Sequence, residues 1–64
     1  MQKIHKYDHP VDLETASMFG QYGVNLYKGD KFVEGRVYVM YSGNMMMEEI
    51  RFLKRDGICD RVEW

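Results

Sequence analysis

The sequence predicts an α+β domain, a small mixed or antiparallel sheet of about four strands packed in two layers against one long helix. Three stretches carry that prediction. Around Val37-Tyr38-Val39-Met40-Tyr41, Val37, Val39 and Tyr41 alternate with Arg36, Tyr38 and Met40, the period of a strand with one largely aliphatic and one mixed face. Residues 45–55 place Met46, Ile50 and Leu53 at i, i+4 and i+7, a one-sided apolar stripe of helical period. Between residues 22 and 41, two alternating runs flank Lys28-Gly29-Asp30-Lys31, which reads as a hairpin.

Taken in order, residues 2–7 alternate loosely as a first strand, with Ile4 on one face and His5 and Tyr7 on the other. Pro10 ends it, since proline has no amide to give a ladder. Residues 11–19 fit two templates. Val11 to Glu14 alternates like a strand, while Leu13, Ala16, Ser17 and Gly20 fall on one side of a helix built from good helix formers. The short helix is the preferred assignment, with Pro10 and Asp12 at its start. Residues 22–28 and 32–41 form the hairpin, and Gly35 inside the second strand marks a bulge or bend. Asn44 suits the N-cap of the 45–55 helix, and Glu48 and Glu49 lie towards the positive end of its dipole. Lys54 and Arg55 sit at the negative end, and Gly57 fits the left-handed position that closes many helices. Residues 58–64 supply a last short strand. Strand, helix and strand in so few residues call for a parallel, right-handed crossover. With the first helix the order is βαββαβ, a ferredoxin-like arrangement. Without it, a hairpin followed by βαβ gives a sheet covered by one helix. The expected core is Val24, Leu26, Val37, Val39, Ile50, Leu53 and Val62.

Sixty-four residues make a single domain, 1–64, which buries only about 60% of its unfolded surface and has a thin stability margin. Cys59 is the lone cysteine, so no internal disulfide is possible, and a reducing cytosolic setting follows. No apolar run approaches the roughly 20 residues of a membrane helix, and Met1 to Lys6 lacks the apolar core of a signal peptide. The chain therefore reads as an intact cytosolic protein with no membrane partner. Nine basic and ten acidic residues leave a net charge of −1, against the basic excess of domains that bind by neutralising phosphates.

Chemistry-bearing clusters are few. His5, Asp8 and His9, with Asp12 nearby, are acceptable zinc donors, but a strand end and turn collects polar residues in any case. No metal or cofactor is assigned. Cys59 lacks a histidine base placed beside it by sequence and is read as a small apolar filler. No catalytic serine context, phosphate-binding glycine loop or carboxylate pair stands out, so the chain is not expected to be an enzyme.

The stretch from Glu34 to Tyr41 partly matches the RNP1 strand pattern of RNA-recognition domains, which it resembles at Gly35, Tyr38, Val39 and Tyr41. It departs at Glu34, where a basic residue is expected, and at Arg36, which replaces a stacking aromatic. The resemblance implies single-stranded nucleic-acid binding through Arg36 and Tyr38, helped by Tyr27, Lys28 and Lys31.

The leading expectation is instead protein binding. Six methionines, five tyrosines, three phenylalanines and a tryptophan are a heavy load for this length. Met45, Met46 and Met47 cannot all face one core, because consecutive helical residues point about 100° apart. Two surfaces are expected to meet a partner: an open sheet face with Tyr27, Phe32, Arg36 and Tyr38, and a helix flank with Met45, Met47 and Phe52. The function expected is stoichiometric regulation, adaptation or inhibition of a larger protein complex, of the kind short bacterial and phage reading frames encode. A homodimer is expected too, since uncovered apolar surface on a small domain is often buried by a second copy.

Overall fold

The computed structural model describes residues 4–64, with only the main chain described at Ser42. The elements run β1 (Ile4–Tyr7), α1 (Leu13–Met18), β2 (Gln21–Lys28), β3 (Lys31–Val39), α2 (Gly43–Arg55) and β4 (Arg61–Glu63). A 3-10 turn at Met40–Ser42 joins β3 to α2. Residues 2 and 3 of the expected first strand lie outside the described residues. The α+β class and the four strands match the sequence reading, and the contested 11–19 segment does contain a helix. Its N-cap is Asp12, whose carboxylate accepts from the amides of Glu14 and Thr15, so Pro10 lies before the helix rather than in it.

Each strand pairing is antiparallel, and the sheet order is β1-β3-β2-β4. β3 and β4 do run in the same direction, but β2 lies between them. A ferredoxin-like sheet would place the last strand beside the first, whereas here β4 and β1 are opposite edges.

The helices lie on opposite faces of the sheet. In the β2–β3 register Val24 stands opposite Arg36, Tyr22 opposite Tyr38 and Leu26 opposite Glu34, so these six share a face. α2 covers it: Met46 and Ile50 pack with Val24 and Tyr38, Leu53 packs with Leu26 and Cys59, and Val62 touches both groups. The other face carries Gly23, Asn25, Gly35 and Val37. A methyl group at Gly23 would stand 3.0 Å from Ala16 Cβ and 3.2 Å from Leu13 Cδ2, which places α1 against that face. Asn25, buried, clamps the approach to α1 by accepting from the Val11 amide at 2.8 Å and donating to its carbonyl at 3.2 Å. The expected core is therefore split. Val24, Leu26, Ile50, Leu53 and Val62 assemble as predicted, but Val37 lies on the α1 face and Val39 is only half-buried.

Local signals explain the ends of the elements. Gly29 has φ of 61° and no other residue in the turn has positive φ, the pattern of a two-residue type II′ hairpin between Lys28 and Lys31. α2 ends where predicted. Gly57, at φ 76°, donates to the Lys54 carbonyl and Ile58 to the Leu53 carbonyl, the paired bonds of a Schellman motif. Its start differs. β3 stops at Val39 and the helix begins at Gly43, so Asn44 lies inside the first turn rather than capping it, and Glu48 and Glu49 fall beyond that turn. The bulge is also displaced: Leu26 pairs with Glu34 and Tyr27 with Phe32, which leaves Val33 as the extra residue. Gly35 serves packing instead, because a methyl there would come within 2.8 Å of Val11 Cγ1.

Leu53 joins α2 to the second core group, so Leu53→Ala is expected to destabilise by about 2–5 kcal/mol. Urea unfolding checks this, with a lowered midpoint at unchanged slope as the expected outcome.

Candidate functional site

Polar chemistry concentrates beneath α2, where Glu34, Arg36 and Tyr38 project from β3 as alternate residues on one face. Glu49, one turn from the buried Met46–Ile50–Leu53 stripe, reaches them from above. Arg36 Nε donates to Glu34 Oε1 at 2.8 Å and Nη1 to Glu49 Oε1 at 2.7 Å, while Nη2 also donates to Glu34. The Tyr38 hydroxyl donates to the other Glu49 oxygen. Tyr38 is fully buried and Arg36 is 5% exposed. Burial is the largest single influence and disfavours the Arg36 charge, but the hydrogen bond to Glu34, the Glu34 charge and the contact with Tyr38 together outweigh it, and the guanidinium lies above its ordinary pKa. For Tyr38, burial and then the bond to Glu49 both push the phenol well above its usual value.

This overturns the expected open face for two of its residues. Arg36 and Tyr38 lie under α2, where they cannot stack on bases or meet a partner while the helix is docked. Tyr27 and Phe32 do sit on the uncovered end of the other face, edge to face at 5.7 Å, with the Arg61 guanidinium 4.3 Å from the Tyr27 ring centre. Arg61 also donates to Glu63 at 3.1 Å.

The helix flank divides in two. Gly43 and Met47 lie on the side facing β2 and β4. At about 100° per residue Met45 and Phe52 follow Glu49 around the helix, on the flank that Glu49 turns towards β3. Met45, Met47 and Phe52 are all exposed, Met45 most at 60%, and the Arg55 guanidinium lies 5.0 Å from the Phe52 ring. Met46 alone of the three consecutive methionines is buried.

An open groove of about 540 Å³ runs between the start of α2 and the end of β4, lined by Tyr22, Gly43, Asn44, Met46, Met47 and Trp64. Gly43 keeps it open, since a methyl there would stand 3.3 Å from the Tyr22 hydroxyl. Of these residues only Met47 is expected from sequence to meet a partner. Trp64 was the available signal, as the one tryptophan. Its neighbours depend on the antiparallel β2–β4 pairing, which brings the chain after Glu63 back alongside Val24 and Tyr22. A second groove of about 440 Å³ lies between α1 and β1, with Tyr7, His9, Phe19 and Val37 in its wall.

The histidine cluster does not converge. His9 Nδ1 lies 3.1 Å from Asp8 Oδ1, an exposed pair that holds the Asp8 carboxyl below its ordinary pKa. Asp12 is committed to capping α1, and its bond from the Thr15 hydroxyl lowers it likewise. Among the described residues no three His, Cys, Asp or Glu side chains come together as a metal-binding group. Cys59 is buried, as an apolar filler would be, and burial raises its thiol away from the thiolate form. Among the described residues no helix is long and apolar enough to cross a membrane.

No protein-family model, curated protein or solved structure matches this chain.

The network beneath α2 sets a stability prediction. Between about pH 10 and the raised native value, the unfolded chain loses the Tyr38 proton and the native chain keeps it. Stability therefore falls as pH rises through that window. Tyr38→Phe is expected to flatten this alkaline fall while costing about 1–2 kcal/mol at neutral pH. Arg36→Ala, which strands two partly shielded carboxylates, is expected to cost about 3 kcal/mol, the lower end for a broken buried pair. Thermal melts between pH 7 and 11 measure both effects.

Proposed function

We propose that this chain is a small protein-binding module, acting stoichiometrically as a regulator, adaptor or inhibitor, and that its primary contact is the Tyr22–Met47–Trp64 groove. The observation that carries the reading is the composition of that groove. An indole, a phenol ring and two thioethers surround an open apolar trough in a chain of nearly neutral charge. Tryptophan and tyrosine dominate the binding energy of protein interfaces, and methionine adapts its shape to a partner. Apart from Trp64, which follows β4, the walls stand on β2 and the first turns of α2, so little ordering of them is needed on binding. The fitting occupant is a partner segment that offers an apolar side chain to the trough.

Single-stranded nucleic acid fits less well. With Arg36 and Tyr38 beneath the helix, that reading is left with Tyr27, Phe32, Lys28, Lys31 and Arg61, of which Lys28 already donates to the Gly57 carbonyl and Arg61 to Glu63.

Trp64 is 59% exposed, so Trp64→Ala is expected to preserve the fold by circular dichroism. Affinity capture from the native host, read by mass spectrometry, should retain a protein on the parent chain and lose it on Trp64→Ala and Met47→Asp. For the partner so found, each variant is expected to weaken binding by at least about 1–2 kcal/mol by titration calorimetry. An identical captured set on all three chains sinks the groove as the contact.

A further inference from the structure

We infer that β1 is a self-pairing edge, through which two copies of this chain form a two-fold dimer with one continuous sheet. The inference is separate from the groove, which lies on the opposite flank of α2. Two independent observations meet at β1. The first is its backbone. Among the described strands β1 pairs only with β3, Ile4 to Tyr7 are all exposed, and neither proline nor a bulge interrupts them. An edge of this kind presents unpaired amides and carbonyls to another strand. The second is an apolar row on the same side of the molecule. α2 sits over β2 and β3 and leaves β1 uncovered, so Ile4, Met45 and Phe52, at 39%, 60% and 49% exposure, flank an open shelf above β1.

Symmetry narrows the arrangement. A two-fold axis perpendicular to the sheet keeps each face continuous, so paired residues must have the same side-chain parity. The dimer is then centred on a residue. Centring on Lys6 would set two ammonium groups directly opposite each other, which is unfavourable. Centring on His5 sets Ile4 opposite Lys6 of the second copy, twice, so that each lysine stem lies along an isoleucine on the α2 face. The two α2 helices would stand roughly four strand spacings apart, about 19 Å. That leaves a valley, floored by Ile4 and Lys6 of both copies, for Met45 and Phe52 from each side. The strand hydrogen bonds and the apolar row are satisfied by one operation, and a second copy supplies both.

Sedimentation equilibrium on the full chain at micromolar concentration should give a dimer. Phe52→Asp should raise its dissociation constant at least tenfold with an unchanged circular dichroism spectrum, and Trp64→Ala should leave it within twofold. Under mild oxidation His5→Cys should cross-link across the axis, since antiparallel partners stand about 4.5–5.5 Å apart at Cα, within disulfide reach. A monomeric parent chain, open-ended larger species, or a dimer lost on Trp64→Ala but kept on Phe52→Asp would each overturn the interface. Cross-linking by Lys6→Cys in place of His5→Cys would overturn the register.

Discussion

The Glu49 carboxylate holds α2 to the sheet in a single position. One oxygen accepts from Arg36 and the other from Tyr38, while Arg36 is anchored on its far side by Glu34. Apolar contacts among Val24, Ile50 and Met46 drive the helix onto the sheet but are non-directional, and a small rotation would cost them little. The polar bonds do not tolerate such a rotation, because an arginine this deeply buried needs its carboxylates. Two glutamates and one arginine carry a surplus negative charge, and the phenol proton of Tyr38 is directed at it. The network therefore sets the azimuth of α2 and, with it, which side chains are left outside.

Those outward side chains determine the surface available for function. With Glu49 turned towards β3, Met45 and Phe52 fall on the β1 side and Gly43 and Met47 on the β4 side. The same rotation thus creates the Trp64 groove on one flank and the apolar shelf above β1 on the other. On the far face, the Asn25 clamp on Val11 brings α1 over Gly23 and closes the centre of the face that a two-layer fold would expose. What remains open lies at the edges and ends: the β1 backbone, the Trp64 groove, the groove between α1 and β1, and the Tyr27–Phe32–Arg61 corner.

Much of the local structure was legible because its determinants are local. The Met46–Ile50–Leu53 stripe, the Gly57 terminus and the Lys28–Lys31 turn each rest on residues within a few positions of one another. The misreadings also have local causes. Met40–Ser42 continues the alternation of β3 in sequence, yet the chain must turn towards α2, and the helix starts early enough to take in Asn44. Gly35 looked like a bulge because glycine is rare inside strands. Its lack of a side chain is needed by Val11, about two dozen residues earlier, and no pattern along the chain reports that contact. Of the groove, only Met47 was found, since its other walls meet through the pairing of β2 with β4.

The sequence by itself determined the α+β class, four strands, the long helix with its buried stripe, and a surplus of exposed methionine and aromatic side chains. These follow from periodicity and composition, which act over a turn or two of chain. Only the tertiary structure decided which face of β3 lies under α2. By hydrophobicity alone the Val37 and Val39 face was the better candidate, and the reverse holds because Glu49 satisfies Arg36 and Tyr38 from across the interface. A polar residue is buried when a distant partner compensates it. The partner's position depends on the fold, so the burial of Arg36, and the loss of the open face expected around it, could not be read from β3 alone.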